Sequence, residues 1–124
     1  MSRLLTLACL LSVACAAPVA WAACSYPKHN IKVPDGSTAT FDEMKAAQNE
    51  VKAFDAAITA YSSCIEQEYN ATIAREGANL SEERKKELER IMAQKINAAV
   101  KEAEELAGRF NEQVRVYKEK NKKK

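Results

Sequence analysis

The chain has 124 residues, with 19 Lys and Arg against 17 Asp and Glu and a formal net charge of +2. That length limits it to one small domain. Three glycines and three prolines leave little material for turns.

The amino terminus reads as a secretory signal peptide over residues 1–22. Arg3 supplies a positive charge, Leu4 to Ala17 form an apolar run, and Pro18 breaks it. Ala20 and Ala22 then place small residues where a signal peptidase cuts, after Ala22 or Ala23. The run is shorter than the ~20 residues a bilayer span needs, and no later segment is more apolar. Lipidation of Cys24 is disfavoured, because Trp21 stands where such a signal wants an aliphatic residue. Such a signal implies export from the cytosol, to a periplasm or, alternatively, by secretion.

Loss of the signal removes Arg3, Cys9 and Cys15. It leaves 18 basic residues against 17 acidic ones, and Cys24 and Cys64. Two cysteines in an exported chain pair with each other, so a Cys24–Cys64 disulfide is expected. No metal site or cofactor is read, since His29 is the only histidine.

Residues 23–40 have the composition of an extended, irregular segment. Pro34-Asp35-Gly36 is a turn signal: Pro presets φ and Gly tolerates positive φ. Thr40-Phe41-Asp42-Glu43 is a capping box that starts a helix. From Phe41 to Glu76 there is no glycine or proline. Met44, Ala47, Val51, Phe54, Ile58, Tyr61 and Ile65 recur at alternate steps of three and four, the stripe of one helical face. Gly77 is a helix stop. Ser81 with Glu82 and Glu83 opens a second helix, over about 82–120. Its stripe runs through Leu88, Met92, Ile96, Ala99, Val100, Ala103, Leu106, Phe110, Val114 and Tyr117. Gly108 falls off the stripe and should be tolerated in solvent. Residues 121–124 read as a frayed basic tail.

Two long helices joined by a short loop predict an all-α fold, a coiled-coil-like antiparallel hairpin. Folding about Asn79 sets Phe41 against Tyr117, Met44 against Val114, Ala47 against Phe110, Val51 against Leu106, Phe54 against Ala103, Ile58 against Val100 or Ala99, and Ile65 against Met92. Large side chains then meet small ones at Ala47/Phe110 and Phe54/Ala103, as interdigitating layers require.

A bare hairpin is a marginal core, and the disulfide would draw the amino-terminal segment onto the first helix. The distance from Thr40 back to Cys64 is about 36 Å along a helix. Sixteen residues reach about 53 Å when extended, so the segment must lie fairly straight. Ala46, Ala53, Ala57, Ala60 and Cys64 share one line of the first helix, and this small-residue face is the expected seat.

No catalytic residue is identified. His29 lies in a polar segment and reads as a solvated side chain. The carboxylates intersperse with Lys and Arg, as solvated faces with pairs such as Glu82–Lys86 and Lys101–Glu105. Asn70-Ala71-Thr72 and Asn79-Leu80-Ser81 match the glycosylation pattern; the second, on the expected loop, would be accessible in a eukaryotic secretory pathway, while a chance match in a bacterium is the preferred reading. From Arg115 to Lys124 there are six basic residues and one acid, Glu119. Arg115, Lys118, Lys120, Lys122, Lys123 and Lys124 are therefore the candidate contacts to an anionic surface. Tyr117 alone offers too little aromatic surface for nucleic-acid stacking.

Tyr26-Pro27, Pro34-Asp35-Gly36, Glu43-Met44, Ala47-Gln48, Val51-Lys52, Tyr61 and Cys64 together resemble a group of short exported proteobacterial proteins. The resemblance implies a periplasmic location and carries no catalytic or binding residue with it. The expected role is non-enzymatic: an interaction or structural protein of the cell envelope. Its partner would be an envelope protein, an anionic envelope polymer or a second hairpin completing a four-helix bundle over Val51, Val100 and Val114. The alternatives are a holdase for envelope clients, similar in style to small helical periplasmic chaperones, and a tether through the basic tail.

Overall fold

The computed structural model describes residues 23–122. The expected signal peptide, Lys123 and Lys124 lie outside the described residues. The chain is all-α: helix α1 spans Phe41–Glu76, a 3₁₀ turn spans Gly77–Asn79, and helix α2 spans Glu82–Lys122. The two helices pack against each other as an antiparallel hairpin.

Each helix begins where its local chemistry dictates. The Thr40 hydroxyl accepts the Glu43 N–H at 3.2 Å, and the Glu43 carboxylate accepts the Thr40 N–H at 2.7 Å. Both donors would otherwise be orphaned. The Thr40 N–H and, at 2.9 Å, the Thr40 hydroxyl donate to the Glu43 carboxylate and hold its pKa below the usual range. Gly77 ends α1 at φ 49°, a left-handed conformation, with its N–H bonded to the Ile73 carbonyl. Ser81 caps α2, its hydroxyl accepting the Arg84 N–H at 3.1 Å. The helix runs two residues beyond the expected end. Asn121 and Lys122 are helical, and the Asn121 side chain donates to the Tyr117 carbonyl at 2.8 Å.

The core follows the expected register. Phe54, Ile58, Tyr61 and Ile65 from α1 bury against Ala99, Ala103 and Leu106 from α2. Nearer the open end, Met44 and Ala47 bury against Phe110 and Ala39. Polar pairs carry the register toward the loop. The Tyr69 hydroxyl donates to Glu89 at 3.2 Å, Lys95 meets Glu68 at 3.6 Å, and Arg84 reaches back to Glu76 at 3.3 Å. Of the two expected pairs along α2, Lys101–Glu105 forms at 3.7 Å. Glu82–Lys86 is not among the ion pairs of the described residues. Val100, placed on the stripe of the second helix, is 37 % exposed. Phe41 also departs from expectation: set opposite Tyr117 by the fold about Asn79, it is 64 % exposed. It stands on the first turn, beyond the last core layer that Met44 and Phe110 close.

Residues 24–35 form a strap that runs back along the hairpin from α1 toward Cys64. It touches α1 as expected but lies at the edge of the small-residue face rather than along it: Ala57 and Cys64 are half-buried, while Ala46, Ala53 and Ala60 remain exposed. It lies in the groove between the helices. Ile31 and Val33 pack there on the core, while the Gly36 N–H bonds the Gln113 side chain and the Tyr26 hydroxyl bonds Glu102 of α2, which a seat on α1 alone would not allow. Gly36 shows the closeness of the fit. A β-carbon there would lie 2.1 Å from the Gln113 carbonyl oxygen and 2.8 Å from the Tyr117 nitrogen. The turn at Gly36–Thr38 therefore needs glycine for approach to the α2 backbone. Among the described residues the only positive φ is that of Gly77, which corrects the reason first given for Gly36. The turn itself is built by Asp35, whose carboxylate accepts from the Ser37 hydroxyl at 2.7 Å and the Ser37 N–H at 2.8 Å. Those bonds lower the Asp35 pKa.

Candidate functional site

The strap is locked at its far end by the Cys24–Cys64 disulfide, with a Cα–Cα separation of 5.8 Å. Beyond that bond its side chains alternate. Pro27, His29, Ile31 and Val33 are half-buried, while Lys28, Asn30 and Lys32 face solvent. Such a period of two is that of an extended chain laid on a surface.

His29 is not the solvated side chain the sequence suggested. It is 15 % exposed, its ring lies tilted at 54° against Phe54 with ring centroids 4.2 Å apart, and its Nε2 lies 3.2 Å from a Glu102 carboxylate oxygen. Its Nδ1 accepts the Ile31 N–H at 3.3 Å, which makes Nε2–H the donor to Glu102. The other Glu102 oxygen accepts from the Tyr26 hydroxyl. That bond, with some burial and the nearby negative charge, raises the Tyr26 pKa to about 12. The Tyr26 ring also meets Tyr61 edge-on at 5.2 Å. One carboxylate of α2 thus clasps two strap side chains over the aromatic core. The partners all lie within the hairpin, so the cluster reads as a clasp. Its sequence signal was the paired aromatic and imidazole at Tyr26 and His29, but nothing local pointed to Glu102, 76 residues from Tyr26.

The candidate cationic contacts do not act as one patch. Arg115 is clamped between Glu112 at 2.6 Å and Glu119 at 2.7 Å. Its bonds to Glu112 raise its pKa and lower that of Glu112. Its charge is therefore answered within α2. Lys120 is half-buried and stands near Asp35. Lys122 is exposed on the last turn. Lys118 has a different setting: with Lys45 and Gln48 it rims an apolar groove between the helices, floored by Met44, Phe110, Val114 and Tyr117 and walled by Phe41.

That groove belongs to the face of the hairpin that the strap leaves open. On α1, Phe41 and Val51 lie about 140° around from Cys64; on α2, Val100 and Val114 lie about 100° or more around from Glu102 and Gln113. Phe41 at 64 % and Val100 at 37 % are exposed there, and Val51, Ile96, Ala107 and Val114 are half-buried. The hairpin thus has one sealed groove and one open one. Among the described residues, no helix is long and apolar enough to cross a membrane. The chain matches no protein-family model, no curated protein and no solved structure.

Proposed function

We propose that this is a non-enzymatic interaction protein of the bacterial cell envelope, exported by its amino-terminal signal and working through the open face of the hairpin. One observation carries the reading: the strap seals one groove, while the opposite groove leaves Phe41 and Val100 in solvent. Large apolar side chains left in solvent along an uncovered groove support a contact site there. The disulfide supports an oxidising compartment, since such bonds persist outside the cytosol. The tether reading is less well supported, because Arg115 is already paired and Lys118 rims the groove. A holdase would use the same open face and is distinguished by its partner.

The test places a photoreactive amino acid at Phe41 and irradiates intact cells. The expected result is a discrete adduct with an envelope macromolecule or with another copy of the chain. The same probe at exposed Ala53, on the small-residue face, should give none. Equal labelling from both positions, or none from either, overturns the reading.

A further inference from the structure

We infer that the open face is covered by a second copy of this chain, paired antiparallel about a two-fold axis at the level of residue 50. The inference rests on the reading of the open face as the contact site and names its occupant.

Two independent pairs of residues place that axis. The register that sets Ala47 beside Phe110 and bonds Tyr69 to Glu89 puts Val100 level with Ile58. Phe41 and Val100, the exposed apolar residues of this face, are therefore about 25 Å apart along the hairpin at 1.5 Å per residue. Their midpoint falls next to residue 50. The charges of the same side give the same point. Lys45 rims the groove at the open end, and Asp55 follows ten residues later, exposed, with its midpoint again at residue 50.

A two-fold axis lying in the interface, across the helices at that level, stacks α1 on α1 and α2 on α2 in opposite directions. Phe41 of each copy then reaches the level of Val100 of the other, and each Lys45 comes level with Asp55 of the second copy. Val51 meets its own counterpart near the axis. The contact is isologous and closes as a four-helix bundle. The alternative axis, parallel to the helices, sets α1 against α2 at the same level. Glu104 of the second copy would then come level between Lys52 and Asp55, and Lys45 would come level with Glu112, which Arg115 already holds. The pairing of Lys45 with Asp55 thus favours the antiparallel arrangement.

The test uses the full mature chain with its disulfide intact, in sedimentation and light scattering. The wild type should be a dimer. Lys45→Asp and Asp55→Lys, both at exposed positions, should each yield monomers with unchanged helical circular dichroism. The double variant should regain the dimer. Ten residues separate the two on one helix, about 15 Å, so they cannot rescue each other within a chain. Rescue therefore requires the second copy. A photoreactive residue at Phe41 should label Thr59 or its neighbours on α1 of the second copy, at the level of Val100, whereas the parallel arrangement would label the region of Tyr117. A monomeric wild type, single variants that stay dimeric, or a double variant that stays monomeric overturns the inference. If the purified chain is monomeric yet Phe41 labels another envelope component in cells, the inference fails and the open face stands as a contact site. If Phe41 labels nothing and the chain is monomeric, both fail.

Discussion

A β-carbon at Gly36 would lie 2.1 Å from the Gln113 carbonyl oxygen, a contact that only movement of backbone relieves. At Gly108, exposed in the middle of α2, a β-carbon meets nothing within 4 Å. The same substitution should therefore act with opposite sign. Gly36→Ala should lift the turn off α2, break the 2.8 Å bond from the Gly36 N–H to the Gln113 side chain, and cost about 1–3 kcal/mol. Gly108→Ala should stabilise by about 1 kcal/mol, because alanine restricts the unfolded chain and favours helix. Thermal melts of the two variants check this; a Gly36→Ala protein as stable as wild type would show that the strap does not need its close approach. Helical spacing alone marked Gly108 as harmless. It could not mark Gly36, because the neighbour that demands glycine there is 77 residues away.

The helices were legible because their signals are local. The capping box at Thr40, the stop at Gly77 and the cap at Ser81 lie within a few residues of the boundaries they set. The strap was half legible. Its length and its anchor at Cys24 followed from the cysteines, but its turn-forming composition hid the alternation of Pro27, His29, Ile31 and Val33. That alternation seats it between the helices and brings Tyr26 and His29 to Glu102. The clasp has a pH signature. The unfolded Tyr26 phenol titrates near 10.0, and in the folded chain its pKa is raised to about 12. A raised pKa means that the protonated form is favoured by folding, so the contribution is complete below pH 10 and is lost as the pH rises toward 12. Removing the hydroxyl in Tyr26→Phe should lower the melting temperature at neutral pH. The gap to wild type should hold to about pH 10 and close above it. A gap that is constant through pH 12 would mean that the hydroxyl bond to Glu102 contributes nothing in solution.

At the scale of the whole molecule, two helices of 36 and 41 residues give a long, thin core, two groove faces and little depth. A hairpin of this kind depends on what covers its grooves. The strap covers one, and the disulfide decides how firmly. The pairing of the helices could be read from the sequence because large and small residues alternate across it. The seat of the strap could not, because the alanines of α1 that suggested it are explained by helix propensity alone. The bond between Cys24 and Cys64, 40 residues apart, limits the unfolded chain and contributes about 4 kcal/mol by the chain-entropy relation. For a domain of this size, 1 kcal/mol corresponds to about 4 °C, so its loss amounts to roughly 15 °C. Cys64→Ser should therefore melt about 15 °C below the oxidised wild type. It should match the wild type reduced by dithiothreitol, and added reductant should not lower the variant further. The strap should loosen from its free end while α1 and α2 stay helical, so helical circular dichroism at low temperature should change little. Amide exchange should quicken at Ile31 and Val33 before it does at Leu106, which is fully buried between the helices. A variant that melts with the oxidised wild type would remove the disulfide from the account of stability. It would leave the side-chain clasp at Glu102 and the turn at Gly36 as what holds the strap in its groove.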